Sequence, residues 1–261
     1  MKLFLSIAAG LLLFALGIWS IALPEEALVE KLERSVNGGG FTLEISGFRK
    51  GLLYTFQCRS VVLRRGETPV FSMENLRGAV HILSLFRLKL PISFEAESGG
   101  GKATGRAELL GARRQVHLAL EGADMAAVPF FAVAGLKGRG ALSGKLSLEA
   151  ERGELTFSLQ KARMEKGSFM GVSVPFEVFH TVRCALVLAR NSLTVHSLVM
   201  EGKGIYARVK GSFAGAAPDA VLEIMPDASF EDSGGLLPFL TMYKVSPGYY
   251  VIPLRSGFFL Q

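Results

Sequence analysis

Residues 86–96 read FRLKLPISFEA and alternate strictly between apolar and polar side chains. Every even position is apolar, whereas Arg87, Lys89 and Glu95 occupy odd positions. Successive side chains leave a β-strand on opposite faces, so this period of two predicts a strand with one apolar face. Pro91 lies on the polar side and has no amide hydrogen, which predicts a sheet edge or a bulge there.

The same alternation continues through most of the chain after residue 40. Short runs are separated by turns of two to four residues rich in Gly, Asn, Asp, Arg and Lys. About a dozen strands joined in this way are typical of an antiparallel meander. No long helices alternate with the strands, so a parallel α/β fold is disfavoured. Residues 125–136 (MAAVPFFAVAGL) break the rhythm and predict a helical turn or buried connector.

The apolar faces of these strands have two interpretations. They form either one face of a closed core or the wall of a long apolar groove. A similar apolar face lies at 205–213. The candidate groove residues are Phe86, Leu88, Leu90, Ile92, Phe94, Val116, Leu118 and Leu120.

The N-terminal segment, residues 3–23, contains 21 residues and no charge. A helix of this length is about 31 Å long, which matches the hydrocarbon core of a bilayer. Lys2 precedes it, so the positive-inside rule places the N-terminus in the cytoplasm and the rest outside. A cleaved signal peptide is the alternative, although its apolar core is usually only about 7–15 residues. Both interpretations export the remainder of the chain.

Three regions follow from these patterns. Residues 1–23 are predicted to be a transmembrane anchor. Residues 24–40 begin with PEEALVEKLERSV, in which the proline and early glutamates favour a helix, and end in a glycine break. Residues 41–261 are predicted to be a β-rich domain lying in the periplasm.

Charge and cysteine content narrow the function only slightly. The net charge is +6, and the charges are spread singly along the strands, as expected for a solvated face. No basic strand carries interleaved solvent-facing aromatic residues, so nucleic-acid binding is unsupported. Cys58 and Cys184 fall on the apolar sides of their strands; buried free thiols are favoured, with a disulfide as the alternative.

The chain shows no catalytic or metal-binding constellation in its sequence. The histidines stand apart from one another and from other ligand-type residues at metal-site spacings: His81, His117, His180 and His196. Ser158 and Lys161 have a Ser-x-x-Lys spacing, but they lie in a strand-like run. The glycines at 138, 140 and 144 are better explained as turns or close-packed strand positions. We therefore predict no enzyme, no cofactor and no metal.

The order of segments resembles the type II secretion system protein N family. The matching features are an N-terminal anchor, the PEEALVEKLE helix, the opening FTLEISGFRKGLLYTF, the run from FSMENLRGAV to GRAEL, the run LKGRGALSGKLSLEAERGELTFSLQKARM, and the ending GYYVIPLRSG. That family is related to AsmA-like envelope proteins, whose long curved sheets are thought to carry lipid.

The resemblance implies a fold, a location and a role. The fold is mostly β, with a transmembrane helix, a long curved and mainly antiparallel sheet of open or taco-like shape, and few short helices. The location is the inner membrane of a two-membrane bacterium, single-pass, with the bulk in the periplasm. The role is an accessory component of the type II secretion system that interacts with its inner-membrane proteins. The alternative is a lipid-binding or lipid-transfer module, with membrane lipid as its partner.

Overall fold

The structure is a computed structural model, and the residues that it describes are 19, 24–37, 40–81, 84, 91–108, 115–133, 135–149, 152–165, 167–169, 172–174, 176–189, 192–214, 217–232 and 236–254. Within these residues the chain is mostly β, with 68% in strands. The predicted mostly-β class with few short helices is therefore confirmed.

The strands range from 2 to 13 residues in length and follow one another along the chain. Their bounds are β1 Phe41–Ser46, β2 Arg49–Lys50, β3 Thr55–Arg65, β4 Thr68–Val80, β5 Pro91–Ser98, β6 Gly101–Glu108, β7 Gln115–Asp124, β8 Gly138–Glu149, β9 Arg152–Met164, β10 Gly167–Phe169, β11 Val172–Val174, β12 Phe179–Ala189, β13 Ser192–Gly202, β14 Ile205–Ala214, β15 Ala217–Pro226, β16 Lys244–Ser246 and β17 Tyr249–Leu254.

Three α-helices and four 3-10 turns complete the described elements. The helices are α1 (Glu25–Val36), α2 (Pro129–Val133) and α3 (Leu236–Leu240). The 3-10 turns are Leu52–Tyr54, Met125–Ala127, Phe176–Val178 and Thr241–Tyr243.

Fifteen of the strands form one open antiparallel sheet. Its order is β1-β3-β4-β5-β6-β7-β8-β9-β12-β13-β14-β15-β17-β16, with β2 paired to β3. Only the small hairpin of β10 and β11 stands outside it among the described strands. Nearly every strand pairs with its neighbour in sequence, so the predicted antiparallel meander is confirmed.

The segment between β7 and β8 forms the predicted buried connector. Met125, Val128 and Phe131 are all buried there. Phe131 meets the ring of Phe157 of β9 edge to face, with ring centroids 6.2 Å apart. The connector therefore packs its apolar side onto one face of the sheet.

Helix α1 lies along the outer edge of β1 and satisfies its free amides. Glu33 Oε1 accepts a hydrogen bond from the backbone N–H of Ile45 at 2.9 Å. Asn37 Oδ1 accepts one from the N–H of Leu43 at 2.8 Å. Unpaired edge amides are a template for aggregation, so this cover protects the first edge of the sheet.

The last edge of the sheet is protected differently. Strand β16 pairs with β17 only at Tyr249 and Tyr250. Further along β17, Pro253 pairs with β15 on its other side and has no amide hydrogen to offer an incoming strand. The short partner strand and the proline leave few donors on this edge.

The prediction for Pro91 is wrong. Pro91 is the first residue of β5, and β5 lies inside the sheet between β4 and β6. The residue is buried, and it stands opposite Glu108 of β6. A proline is accepted at the first residue of a strand, which explains why neither an edge nor a bulge is needed there.

No helix among the described residues is long and apolar enough to cross a bilayer. The predicted anchor, residues 1–23, lies outside the described residues except for Trp19.

Gly211 of β14 is a position where the sheet requires glycine. Its φ is +139°, and an added Cβ would lie 2.3 Å from the carbonyl oxygen of Asp219 and 2.4 Å from Cα of Ala220, both in the adjacent strand. Backbone atoms in a paired strand have little freedom to move away. A side chain at 211 must therefore force the two strands apart.

We expect Gly211→Ala to lower the free energy of unfolding by roughly 2–3 kcal/mol, because overpacking adds to the cost of an unfavourable φ. Gly66→Ala is the matched control: its φ is +59°, but an added Cβ has nothing within 4 Å. Its cost should stay near 1 kcal/mol. Thermal or denaturant unfolding of the full chain measures both, and equal losses would contradict the proposed strand clash.

Candidate functional site

The register of the sheet aligns apolar residues into rows that cross the strands. Directly opposed residues in an antiparallel pair lie on the same face, so a row can be traced from pair to pair. One such row, named here the middle row, consists of Phe56, Gly78, Phe94, Gly105, Leu118, Leu146, Leu155, Leu186, Val195, Gly211, Ala220 and Leu254.

Two further rows flank the middle row on the same face. The rim row lies toward the end of the strands at which β5 begins and consists of Val80, Ile92, Ala107, Val116, Leu148, Gly153, Leu188, Leu193 and Phe213. The deep row lies toward the opposite end and consists of Ala96, Ala103, Leu120, Gly144, Phe157, Cys184, Leu198, Val209, Leu222 and Ile252.

These three rows form the apolar face, which is the candidate site. They contain no charged side chain, and the thiol of Cys184 is their most polar group. The middle row crosses twelve strands, from β3 to β17. At about 4.8 Å between strands this corresponds to roughly 53 Å along the sheet. The face therefore offers a long, uncharged surface that runs across the strands.

Exposure of the apolar face increases from the deep end to the rim. On β8, Leu142 is 5% exposed and Leu148 is 37% exposed. On β12, Val182 is 7% exposed and Leu188 is 49% exposed. Two strands of the sheet, separated by β9, thus show the same gradient. One end of the apolar face is covered, and the other end remains open to solvent within the described residues.

Short helices cover the deep end. Phe131 of α2 packs on Phe157 of the deep row. Leu236 and Leu240 of α3, the helix that follows β15, belong to the same cluster of buried apolar residues as Phe131. Leu240 is fully buried. Within the part of the chain that the structure describes, the insertions that hold α2, β10–β11 and α3 all arise at this end. The covering elements are therefore concentrated where the apolar face is deepest.

Strand β6 contributes only small side chains to the apolar face. Its inward positions are Gly101, Ala103, Gly105 and Ala107. The ring of Phe94 on β5 lies over Gly105. A Cβ added at Gly105 would lie only 2.1 Å from Phe94 Cζ. The aromatic ring covers the bare backbone of the next strand, which is a known means of stabilising glycine in a sheet.

The structure brings together the predicted groove residues that it describes. Ile92 and Val116 lie in the rim row, Phe94 and Leu118 in the middle row, and Leu120 in the deep row. Strand β6 separates the β5 members from the β7 members. Phe86, Leu88 and Leu90 lie outside the described residues.

Sequence reasoning missed most of the second half of the apolar face. Leu148, Leu188 and Leu193 form part of the rim row, although the candidate groove residues ended at Leu120 and a further apolar face was predicted only at 205–213. Their strands alternate as clearly as residues 86–96 do. The signal was therefore present, but only the pairing shows that both halves contribute to one face.

The opposite face of the sheet is polar and carries ion pairs. Lys102 Nζ lies 3.0 Å from Glu95 Oε2, and Arg152 lies 2.9 Å from Glu154. Exposed pairs of this kind contribute little, about 0–1 kcal/mol each. Shallow depressions on this face, of about 300 to 1070 Å³, are lined by polar and charged residues together with small and apolar ones. This face is the solvated side predicted from the alternation.

The histidines lie exposed and apart from one another. His81 contacts Ser93 at 2.9 Å, His117 contacts Ser147 at 3.1 Å, and His196 occupies a bulge of β13. The described residues contain no group of three metal-ligating side chains. Each histidine thus has a local role in the sheet.

The other sequence motifs are structural in this fold. Ser158 and Lys161 both lie on strand β9, so they do not share the helical turn that the Ser-x-x-Lys chemistry needs. An added Cβ at Gly138 would lie 2.6 Å from the carbonyl of Arg163, and one at Gly144 would lie 2.9 Å from that of Thr156. The prediction that these glycines are close-packed strand positions is confirmed.

Both cysteines are free and buried. Burial raises the pKa of the Cys58 thiol from 9.0 to about 11, because the thiolate is poorly solvated there. Burial raises the pKa of Cys184 in the same way, also to about 11. Since the folded pKa exceeds the unfolded one, the resulting stability is present below pH 9 and is lost as the pH rises toward 11.

We expect both native thiols to react slowly with a chromogenic disulfide reagent at pH 8. A two-unit rise in pKa leaves about a hundredfold less thiolate, and burial slows access further. Gln57→Cys, next to Cys58 and exposed, should supply one rapidly reacting thiol as the control. Rapid reaction of two thiols in the folded wild-type chain would contradict the buried placement.

Comparison of the chain with known protein families, curated proteins and solved structures finds no match. The resemblance to the type II secretion system protein N family rests on the order and pattern of segments in the sequence, and it stays a prediction.

Proposed function

We propose that this chain is an inner-membrane-anchored, periplasmic accessory component of the type II protein secretion system that acts by interaction with other proteins. The observation that carries the proposal is the single open meander sheet, which follows the segment order on which the resemblance rests. In this proposal residues 3–23 form the anchor, and the sheet curves over its apolar face.

The proposed anchor is supported by contacts at its end. Trp19 is buried and donates a hydrogen bond from Nε1 to the carbonyl of Gly51 at 3.1 Å. Lys50 Nζ donates to the carbonyl of Trp19 at 2.8 Å. Trp19, four residues before the end of the uncharged segment, is thus held against the β-domain. Such a junction is expected where a membrane segment passes directly into a folded domain.

A role without catalysis is part of the proposal. Within the described residues, the rows of the apolar face hold one titratable side chain, Cys184, and burial raises the pKa of its thiol to about 11. Three exposed histidines each contact a serine or threonine hydroxyl: His81 contacts Ser93, His117 contacts Ser147 and His180 contacts Thr181. Both faces are therefore better suited to binding than to acid–base chemistry.

The secretion role predicts a physical association in the native membrane. A tagged full chain, solubilised from inner membranes after cross-linking, should recover inner-membrane components of the secretion system. A deletion strain should secrete less of the system's substrates, and the full chain should restore secretion. A version with residues 1–23 replaced by a cleavable signal peptide is the control and should restore less. Recovery of no component, together with normal secretion in the deletion strain, would contradict the proposal.

Binding of acyl chains by the apolar face is the second candidate function. The exposure gradient favours it, because Leu148 and Leu188 leave an apolar rim in contact with water. Uncovered apolar surface costs about 25 cal/mol per Å², and each buried CH₂ group of a ligand gains about 0.8 kcal/mol. An acyl chain lying along the rows would cover the exposed apolar side chains from water, and neither side needs a polar partner.

The open rim lies at the strand end nearest the proposed anchor. Thr55, which follows the 3-10 turn Leu52–Tyr54, pairs with Ala79, the residue before Val80 of the rim row. The start of the rim row is therefore close to the turn that contacts Trp19. A lipid leaving the membrane at the anchor meets this end of the apolar face first.

Site-specific photo-cross-linking in living cells tests acyl-chain binding. A benzophenone amino acid at Leu188, on the rim row, should cross-link to phospholipid that mass spectrometry then identifies. The same amino acid at Val187 is the matched control, because it is adjacent in sequence but on the opposite face of β12. Lipid adducts at position 188 and none at 187 support the function. Equal labelling, or protein adducts alone at 188, would count against it.

A further inference from the structure

The 3-10 turn between β2 and β3 exposes two large apolar side chains. Leu52 is 84% exposed and Leu53 is 70% exposed. Both residues belong to the Leu52–Tyr54 turn, immediately before β3. Elsewhere among the described residues, comparable exposure of large apolar side chains is found at Met242, which is 75% exposed, and Val245, which is 64% exposed.

The backbone of this turn is strained, and hydrogen bonds within the turn stabilise the strained conformation. Leu53 has φ +53° and Tyr54 has φ +61°. Residues other than glycine rarely adopt this left-handed region. The carbonyl of Leu52 accepts a hydrogen bond from Thr55 Oγ1 at 2.6 Å, and Gly51 N–H donates to Thr55 O at 2.8 Å. Strained backbone of this kind clusters at functional positions.

The strained turn is joined to the end of the uncharged N-terminal segment. The ring of Tyr54 is buried against Trp19, with centroids 5.3 Å apart. Trp19 also bonds to Gly51, and Glu25 Oε1 accepts from the backbone N–H of Lys50 at 2.8 Å. The contacts fix both leucines beside Trp19, a residue type that favours the membrane interface.

Three arginines lie on the polar face next to the turn. Arg49, Arg59 and Arg77 are exposed and line a depression of about 300 Å³ together with Gln57 and other residues. None of the three has an ion pair among the described residues.

The acidic residue paired opposite Arg77 does not neutralise this cluster. Glu95 stands opposite Arg77 in the register, but its carboxylate bonds to Lys102 at 3.0 Å. The guanidinium groups of the cluster remain available to phosphate oxygens, which they bind in a planar, two-bond geometry.

We infer that the Leu52–Leu53 turn and these three arginines form a membrane-contact surface. It rests on the proposed anchorage through residues 3–23. The two leucines enter the interfacial layer of the bilayer beside Trp19, and the arginines bind the headgroups of anionic phospholipids. Exposed leucines and unpaired cations on neighbouring surfaces are the two features that an anionic bilayer surface accepts together.

The full chain reconstituted into vesicles tests the surface directly. A polarity-sensitive fluorophore is attached to Leu52→Cys; the native thiols are buried and react slowly. Met242→Cys is the matched control, since it is equally exposed but lies beyond β15, at the opposite end of the strands. In vesicles of phosphatidylethanolamine and phosphatidylglycerol, the label at 52 should shift to the blue and gain intensity, whereas the label at 242 should match its spectrum in water.

The arginine contribution is measured in the same vesicles. Replacing phosphatidylglycerol with phosphatidylcholine should reduce the blue shift at position 52. The Arg49→Gln, Arg59→Gln, Arg77→Gln variant should show equal, smaller shifts in both lipid mixtures. Circular dichroism checks that this variant is folded, which is expected because all three side chains are exposed.

The outcomes separate this inference from the proposed anchorage. If the chain fails to float with the vesicles, the anchorage fails and the membrane-contact surface fails with it. If the chain floats but the label at 52 reports water, anchorage stands and the membrane-contact surface is overturned. A blue shift at 52 that the three arginine substitutions leave unchanged would overturn the headgroup contact.

Discussion

Antiparallel pairing between strands that follow one another in the chain is the constraint from which the apolar face arises. Each pair keeps its opposed residues on one face, so the side of a residue in β5 fixes the side of its partners as far as β17. Apolar residues at alternate positions of each strand therefore align into rows that cross the sheet. A one-residue slip in any pair would turn all later strands over and interrupt those rows.

Bulges keep the rows continuous where the strict period of two fails. Leu120 and Ala123 both face inward although they are three residues apart, because Gly122 with φ +69° inserts one residue between them. Lys161, with φ +51°, does the same between the buried Leu159 and Ala162. The inserted residues are Gly122 and Lys161, and both are exposed to solvent. The extra residue re-aims the strand without adding a polar group to the apolar face.

The two ends of the apolar face differ because the insertions are unevenly placed. Among the described residues, the insertions that carry α2 and α3 arise at the deep end, and the connector bearing Phe131 covers Phe157 there. The rim end has no such cover within the described residues. Near it, the turn at Leu53 and Tyr54 holds two left-handed residues at a cost of roughly 1–2 kcal/mol each. Within the described residues, the open apolar end and the unfavourable exposed turn therefore lie close to each other, and both the acyl-chain binding and the membrane-contact surface depend on that placement.

The sequence alone determined the local features, because alternation, turn residues and helix start signals act over a few residues. Strand class, the meander, helix α1, the buried connector and the close-packed glycines could all be read from such signals, and so could the shared face of Ile92, Phe94 and Leu118. Pairing decided the rest, since it joins residues far apart in the chain. It placed Pro91 inside the sheet at a strand start, where its missing amide is tolerated, and added Leu148 and Leu188 to the same face. Only tertiary packing decided which end of that face is covered, because coverage depends on where the short helices fold back.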